Sequence, residues 1–176
     1  MNTINVEEEK AKMKTGYTTG SSATAASKAA LLSIINQKKI DNVSILLPKR
    51  SFLQIPIHSC EFESDKAKCS VIKNGGDDPD VTHGAEIIVE LSITEKINEI
   101  EIDGGEGVGI VTKPGLGLEI NKPAINPVPK KMITENLKEV GKDILLKNGI
   151  RVVISVPKGK ELRPKTDNPR LGIING

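Results

Sequence analysis

The chain has 176 residues, enough for one domain, or one and part of another, with a substantial hydrophobic core. Lys plus Arg number 25 against 23 Asp plus Glu, a formal net charge of +2, which supplies no field for nucleic-acid binding. Tyr17, Phe52 and Phe62 are the only aromatics, which excludes a base-stacking platform and an aromatic membrane belt.

Residues Met1 to Lys14 are charged and lack an apolar run, so they read as a solvated lead-in and not as a signal peptide. No later stretch has the apolar length of a membrane span. The expected location is the cytoplasm.

Thr15-Gly16-Tyr17-Thr18-Thr19-Gly20-Ser21-Ser22 then leads into Ala23, Ala26, Ala30, Leu31, Ile34 and Ile35. Their spacing predicts an amphipathic helix from about Gly20 to Asn36, with small residues in its first turns. Its start, rich in hydroxyls and glycine, is either an ordinary N-cap or a place where backbone N–H groups receive an anion. It is not a P-loop, because no Gly-Lys-Ser/Thr follows and Lys28 comes too late.

Val43 to Leu47 and Leu53 to Ile57 read as strands joined at Pro48-Lys49-Arg50-Ser51, with Pro56 directing the second to a sheet edge. His58 reads as a surface residue. Cys60 and Cys69 have no CxxC spacing; they read as two reduced, buried cysteines of a cytosolic protein that could meet across a hairpin.

Lys66 to Ile72 reads as a strand, and Ala85 to Ile93 as an interior one. Between them lies Gly75-Gly76-Asp77-Asp78-Pro79-Asp80-Val81-Thr82-His83-Gly84. Glycines and a proline let this backbone turn sharply around its carboxylates and histidine. The chemical reading is an acidic site that orients a polar substrate or a metal; the structural one is a set of Asx-turns, which residue types alone favour.

Glu99 to Ile102 alternates as a strand and ends in Asp103-Gly104-Gly105-Glu106-Gly107-Val108-Gly109. A nucleotide or S-adenosylmethionine loop of Rossmann type needs a helix next. Ile110 to Gly115 reads instead as strand and turn. A rigid, proline-rich crossing with Asn121 and Asn126 follows. Pro129 opens a second helix, Lys130 to Lys147, closed by Asn148-Gly149. Arg151 to Val156 is the last strand pattern, and the tail through Gly176 carries no closing element, as at a cut edge.

With only two long helical patterns among six or more strand patterns, the expected fold is α+β: a two-layer α/β sandwich with a mixed or antiparallel sheet and both helices on one face.

Five stretches, in order, closely resemble the cobalt-precorrin-5B C1-methyltransferase family, CbiD, of the anaerobic cobalamin pathway. They are Gly16 to Ser21, Gly75 to Gly84, Gly104 to Gly109 with Val111-Thr112-Lys113, Ala124-Ile125-Asn126-Pro127, and Asn168 to Ile173. The family's members are about twice as long and continue into a second α/β domain. The resemblance thus divides the chain into a lead-in at 1–14, a CbiD-like N-terminal α/β domain at 15–165, and the start of a connection at 166–176.

The resemblance implies methyl transfer from S-adenosylmethionine to C1 of a cobalt-containing corrin precursor, with the methyl donor held mainly by the second domain. The cobalt travels with the substrate, so no protein-bound metal is expected. Residue type and motif position, rather than the family's own catalytic residues, make Asp77, Asp78, Asp80, His83 and Glu106 the catalytic candidates. The implied substrate-binding set is Thr18, Thr19, Gly20, Ser21, Gly75, Gly76, Gly104, Gly105, Gly107, Lys113, Asn126 and Arg170. No nucleic-acid or membrane partner is expected. Two alternatives stand beside this reading: a non-catalytic corrinoid or tetrapyrrole-binding module that serves a separate methyltransferase subunit, and a small-molecule enzyme whose acidic loop binds Mg2+.

Overall fold

Thr18 caps the first helix, α1 (Thr19–Asn36), by accepting a hydrogen bond from the Ser21 N–H at 3.0 Å. In the computed structural model, which describes residues 17–74, 84–115, 117–157 and 173–174, the other elements follow in chain order. They are β1 (Asn42–Leu46), β2 (Phe52–Pro56), β3 (Ser59–Phe62), β4 (Lys66–Ile72), β5 (Glu86–Thr94), β6 (Ile100–Gly104), β7 (Ile110–Val111), α2 (Pro127–Val140), α3 (Lys142–Leu145), β8 (Gly149–Ser155) and β9 (Ile173–Ile174).

Five strands form the main sheet in the order β3-β4-β5-β8-β6. All neighbours are antiparallel except β6, which runs parallel to β8. The fold is therefore α+β with a mixed sheet, and β5 is interior as its apolar run predicts. Period-two burial places Ala67, Cys69 and Val71 of β4, Ile87, Val89 and Leu91 of β5, and Ile150, Val152 and Ile154 of β8 in the core. The opposite face carries ion pairs between Lys68 and Glu90 at 3.7 Å and from Arg151 to Asp103 at 3.1 Å.

The strongest departure from expectation is α1. Its spacing predicts one solvated face, yet Ala25, Ala26, Ala29, Ala30 and Leu31 are all fully buried. The sheet lies along one side, α2 along another, and the β1–β2 hairpin along a third. Only alanine- and serine-sized side chains allow backbones to approach from so many directions. Its buried hydroxyls are satisfied within the helix: Ser22 donates to Thr18 O at 2.9 Å, Thr24 to Gly20 O at 2.8 Å and Ser27 to Ala23 O at 2.7 Å.

Two polar groups tie the hairpin down. Lys28 Nζ donates to Ser44 O at 2.7 Å and to Glu139 Oε2 at 3.3 Å. Asn136, 1% exposed, accepts from Leu46 N at 2.9 Å and donates to Leu46 O at 3.1 Å.

The second helix also differs from its predicted span. It starts at Pro127 rather than at Lys130 and stops at Val140, with the short α3 continuing after Gly141. A Cβ on Gly141 would sit 2.8 Å from Leu137 O and 2.9 Å from Leu31 Cδ2, so close contact with α1 explains both the glycine and the break. Two further strands were not legible: β3, and β9, which pairs with β7.

Cys60 and Cys69 face each other in the β3–β4 register, both buried and both free thiols. Burial pushes the Cys69 thiol well above its ordinary range, and Cys60 beside it adds to the shift against a smaller opposing effect of Ser33.

Lys28→Ala is expected to destabilise the chain by about 2 kcal/mol in urea unfolding, because the part-buried Ser44 carbonyl loses its charged donor. Glu139→Ala, which removes a half-exposed partner, should cost less than about 1 kcal/mol. A smaller loss for Lys28→Ala than for Glu139→Ala would contradict this assignment. The Cys69 thiol stays protonated in the native state, whereas in the unfolded chain it ionises above about pH 8.5. The unfolded state then binds fewer protons, so stability falls as pH rises, by up to about 1.4 kcal/mol per unit from this one group. Cys69→Ala should flatten the alkaline limb of the stability profile measured from about pH 8 to 10.5.

Candidate functional site

Strand direction gathers the chain's loops at one end of the sheet. β4 pairs Ile72 with Glu86 of β5, β5 pairs Ile88 with Ser155 of β8, and β8 pairs Ile154 with Gly104 of β6. The exits of β4, β8 and β6 and the start of β5 therefore share that end. With neighbouring strands about 4.8 Å apart, β4 and β6 stand roughly 14 Å apart there. α1 begins at the same end, since Tyr17 N donates to Asn74 O at 2.8 Å. α2 begins beside it: the missing Cβ of Gly20 faces Pro129 Cγ at 3.1 Å. Both long helices thus start where these strands finish, and the positive ends of their dipoles lie together.

The loop after β6 is held on both sides. Asp103 Oδ1 accepts the Gly104 N–H at 2.8 Å, while its Oδ2 accepts from Arg151 Nη2 at 3.1 Å. Gly105 N donates to Ile154 O at 2.7 Å, and Val156 N donates to Glu106 O at 2.7 Å. A Cβ on Gly104 would meet Pro123 Cβ and Val108 Cγ1, each at 2.8 Å, and one on Gly105 would collide with Ser155 Oγ. Gly107 turns the chain at φ 77°. Close packing therefore accounts for Gly104 and Gly105, and turn geometry for Gly107. The loop runs into β7 and not into a helix, so it lacks the helix N-terminus of a Rossmann-type phosphate cradle.

From this loop the segment at 123–126 leads to the paired helix starts. Ala124 N donates to Gly109 O at 2.7 Å, Ile125 is buried, and Asn126 is the exposed N-cap residue of α2, whose side chain makes no capping bond. Thr18, Thr19, Gly20, Ser21, Gly104, Gly105, Glu106, Gly107 and Asn126 accordingly belong to one end of the fold, with the carboxylate-bearing Glu106 exposed. Lys113 is exposed and stands apart, in the turn beyond β7, where Val111 N donates to Lys122 O at 3.0 Å and the chain folds back on itself. Gly75, Gly76, Asp77, Asp78, Asp80, His83 and Arg170 lie outside the described residues.

Where β4 leaves the sheet there is a cavity of about 470 Å³, lined by Tyr17, His58, Ile72, Lys73 and Asn74 among others. Its volume falls within the roughly 300–1,000 Å³ of small-molecule sites. Sequence reasoning passed over Tyr17, His58 and Lys73. Their proximity is a product of the β3–β4 register, Ser59 opposite Ser70, and no local pattern announces it. The one available signal was Tyr17, the sole tyrosine, placed within a stretch of hydroxyls and glycines.

The CbiD family model matches residues 6–176. A cobalt-precorrin-5B C(1)-methyltransferase of Priestia megaterium is 47% identical over 97% of this chain and 46% of its own length. That of Geobacter metallireducens is 45% identical over 93% of this chain and 46% of its own length. The 1.9 Å crystal structure of cobalamin biosynthesis protein (cbiD) from Archaeoglobus fulgidus superposes with a TM-score of 0.67 at 26% identity, covering 100% of this chain and 58% of that one. The chain spans about half the length of the curated relatives it matches. On the extent of these matches, the chain belongs to the CbiD family.

Proposed function

We propose that this chain is the substrate-handling part of a cobalt-precorrin-5B C1-methyltransferase, acting in the cytoplasm on a cobalt-corrin precursor. The observation that carries the reading is identity sustained over nearly the whole chain with relatives of that name. S-adenosylmethionine would supply the methyl group. Among the described residues, the glycine-rich loop after β6 runs into a strand and offers it no Rossmann-type cradle. Its site is assigned instead to sequence that the longer relatives carry beyond the matched half.

In this reading, residues 15–165 form the corrin-facing domain and 166–176 begin a connection to the rest of the fold. The task of this half is positioning. A carbon nucleophile on a macrocycle must be held in line with the methyl group at near-attack distance, and orientation can supply much of the rate. The end of the sheet suits a flat polycarboxylate: the gathered strand ends offer a broad base, and first-turn N–H groups of α1 around Thr19 and Gly20 can receive peripheral carboxylates. Gly75, Gly76, Gly107 and Asn126 would bring backbone or carboxamide groups to the ring, with Arg170 as a cationic partner; Gly104 and Gly105, whose N–H groups are taken up within the protein, shape the loop instead. Asp77, Asp78, Asp80, His83 and Glu106 are the groups assigned to manage a proton on the macrocycle.

The half-length match also supports a second reading, a corrinoid-binding module that presents substrate to a separate methyltransferase subunit. Calorimetric titration of the chain with S-adenosylmethionine tests what the two readings share, a donor site outside this chain. No heat of binding is compatible with either division of labour, whereas tight binding by this chain alone would overturn the placement of the donor site elsewhere and exclude a purely presenting module.

In a protein of full family length, Asp77→Asn or Asp78→Asn should lower methyl transfer by more than tenfold while leaving the thermal midpoint nearly unchanged. His83→Gln should alter the pH profile of turnover as well as its height. Normal turnover by all three variants would remove the acidic stretch from the mechanism.

A further inference from the structure

The turn that follows β6 holds a single carboxylate, and the role assigned to it here rests on the methyltransferase reading above. Val108 N donates to Gly105 O at 3.3 Å, which closes a β-turn, and Gly107, its third residue, takes the positive φ of 77° that a type II turn requires there. Glu106 is the second residue and stands at the apex. The backbone around it is anchored to β8 twice, by the Gly105 N–H on Ile154 O and by the Val156 N–H on Glu106 O, each at 2.7 Å. Its side chain is exposed, and among the described residues its carboxylate makes no hydrogen bond or ion pair. A carboxylate without a partner on a closely held backbone is a group left for solvent or for a ligand.

β6 ends the main sheet, so among the described strands of that sheet β8 is its only neighbour. The guanidinium of Arg151 closes this edge from the outer face. Arg151 lies opposite Glu101 in the parallel register, with Nε 3.8 Å from Glu101 Oε1, and reaches two positions further along β6, where Nη2 donates to Asp103 Oδ2 at 3.1 Å. The other Asp103 oxygen accepts the Gly104 N–H at 2.8 Å. One guanidinium is thereby linked, through one carboxylate, to the last backbone amide before the turn. The Arg151 and Asp103 side chains are 42% and 38% exposed, and exposed pairs add little to global stability. The effect of this link is local, on where the turn sits.

We propose that Arg151, acting through Asp103, is a positioning residue for the Glu106 carboxylate in methyl transfer to the corrin precursor. Glu106 faces the macrocycle at the sheet end, whereas Arg151 and Asp103, on the outer face of the sheet, act only through the turn. Misplacing a reacting group by about 1 Å can cost on the order of a hundredfold in rate. A turn that loses this anchor therefore keeps its fold and loses much of its activity.

Two measurements test this. In the chain itself, amide hydrogen exchange followed by nuclear magnetic resonance should quicken by about tenfold or more at Gly105 and Val156 in Arg151→Met and in Asp103→Asn, with the amides of Cys69 and Val89 unchanged. Unchanged exchange at Gly105 and Val156 in both variants would overturn the positioning role whatever the chain's function. In a protein of full family length, Arg151→Met should lower the rate of labelled methyl transfer from S-adenosylmethionine to cobalt-precorrin-5B by about tenfold with the KM for the corrin nearly unchanged, and Glu106→Gln should lower it by at least as much. The double variant should match Glu106→Gln alone to within about twofold, because a positioning residue then has nothing left to position. Losses that multiply in the double variant, or normal turnover by Glu106→Gln, would overturn the proposal while leaving the methyltransferase reading intact. Absence of methyl transfer by the unsubstituted full-length protein would remove both.

Discussion

The burial of α1 on nearly all its sides is the constraint on which the rest of the molecule depends. An 18-residue helix can be enclosed by a sheet, a second helix and a hairpin only if its side chains are short enough for all three to approach. The run from Ser21 to Ala30 meets that demand with alanine, serine and threonine. The Ser22, Thr24 and Ser27 hydroxyls return to carbonyls one turn earlier and that of Ser21 meets the Thr18 hydroxyl, so no buried side-chain polar atom in the run is left unpaired by enclosure. Lys28, the one long side chain in the run, escapes by reaching a carbonyl of β1 and a carboxylate of α2. Enclosing the helix fixes its first turn against the exit of β4, which places the helix start among the loops of the sheet end.

That geometry alters the meaning of the small residues. In the sequence they suggest room for a ligand, and in the structure the room is occupied by the protein's own backbone. Gly20 is held against Pro129, Gly104 against Pro123 and Gly105 against Ser155. Ligand approach is not needed to explain glycine at these three positions. The groups that remain outward are side chains and first-turn N–H groups, and recognition at this end therefore depends more on donors than on cavities left by missing side chains.

The main strands, the Asn42–Leu46 and Phe52–Pro56 hairpin and both long helices were legible because each carries its own period or its own turn residues. The hidden features are those set by distant parts of the chain. β3 is a short strand with one fully enclosed position, Cys60, too little alternation to announce itself. The interruption at Gly141 answers to Leu31, more than a hundred positions earlier. α1 looks one-sided because Ser and Thr count as polar in a periodicity, whereas back-bonding to i−4 carbonyls lets them be enclosed. The glycine turn after Asp103 was visible as composition, yet its anchoring by Arg151 arises from a parallel pairing that no local pattern specifies. Motif residues could be named from the sequence, but the presence of His58 and Lys73 at one cavity required the fold.

The Asn136 carboxamide has a consequence for solubility. A two-stranded ribbon exposes a row of unpaired amides along each outer edge, and such edges template the addition of strands from other chains. At Leu46 the row is interrupted, because Asn136 occupies both the N–H and the C=O with the donor–acceptor spacing of a neighbouring strand. Pro56, at the end of the other strand, contributes no N–H. A side chain from α2 thus substitutes for a missing strand, and the ribbon stays docked on its own helices without recruiting a foreign edge.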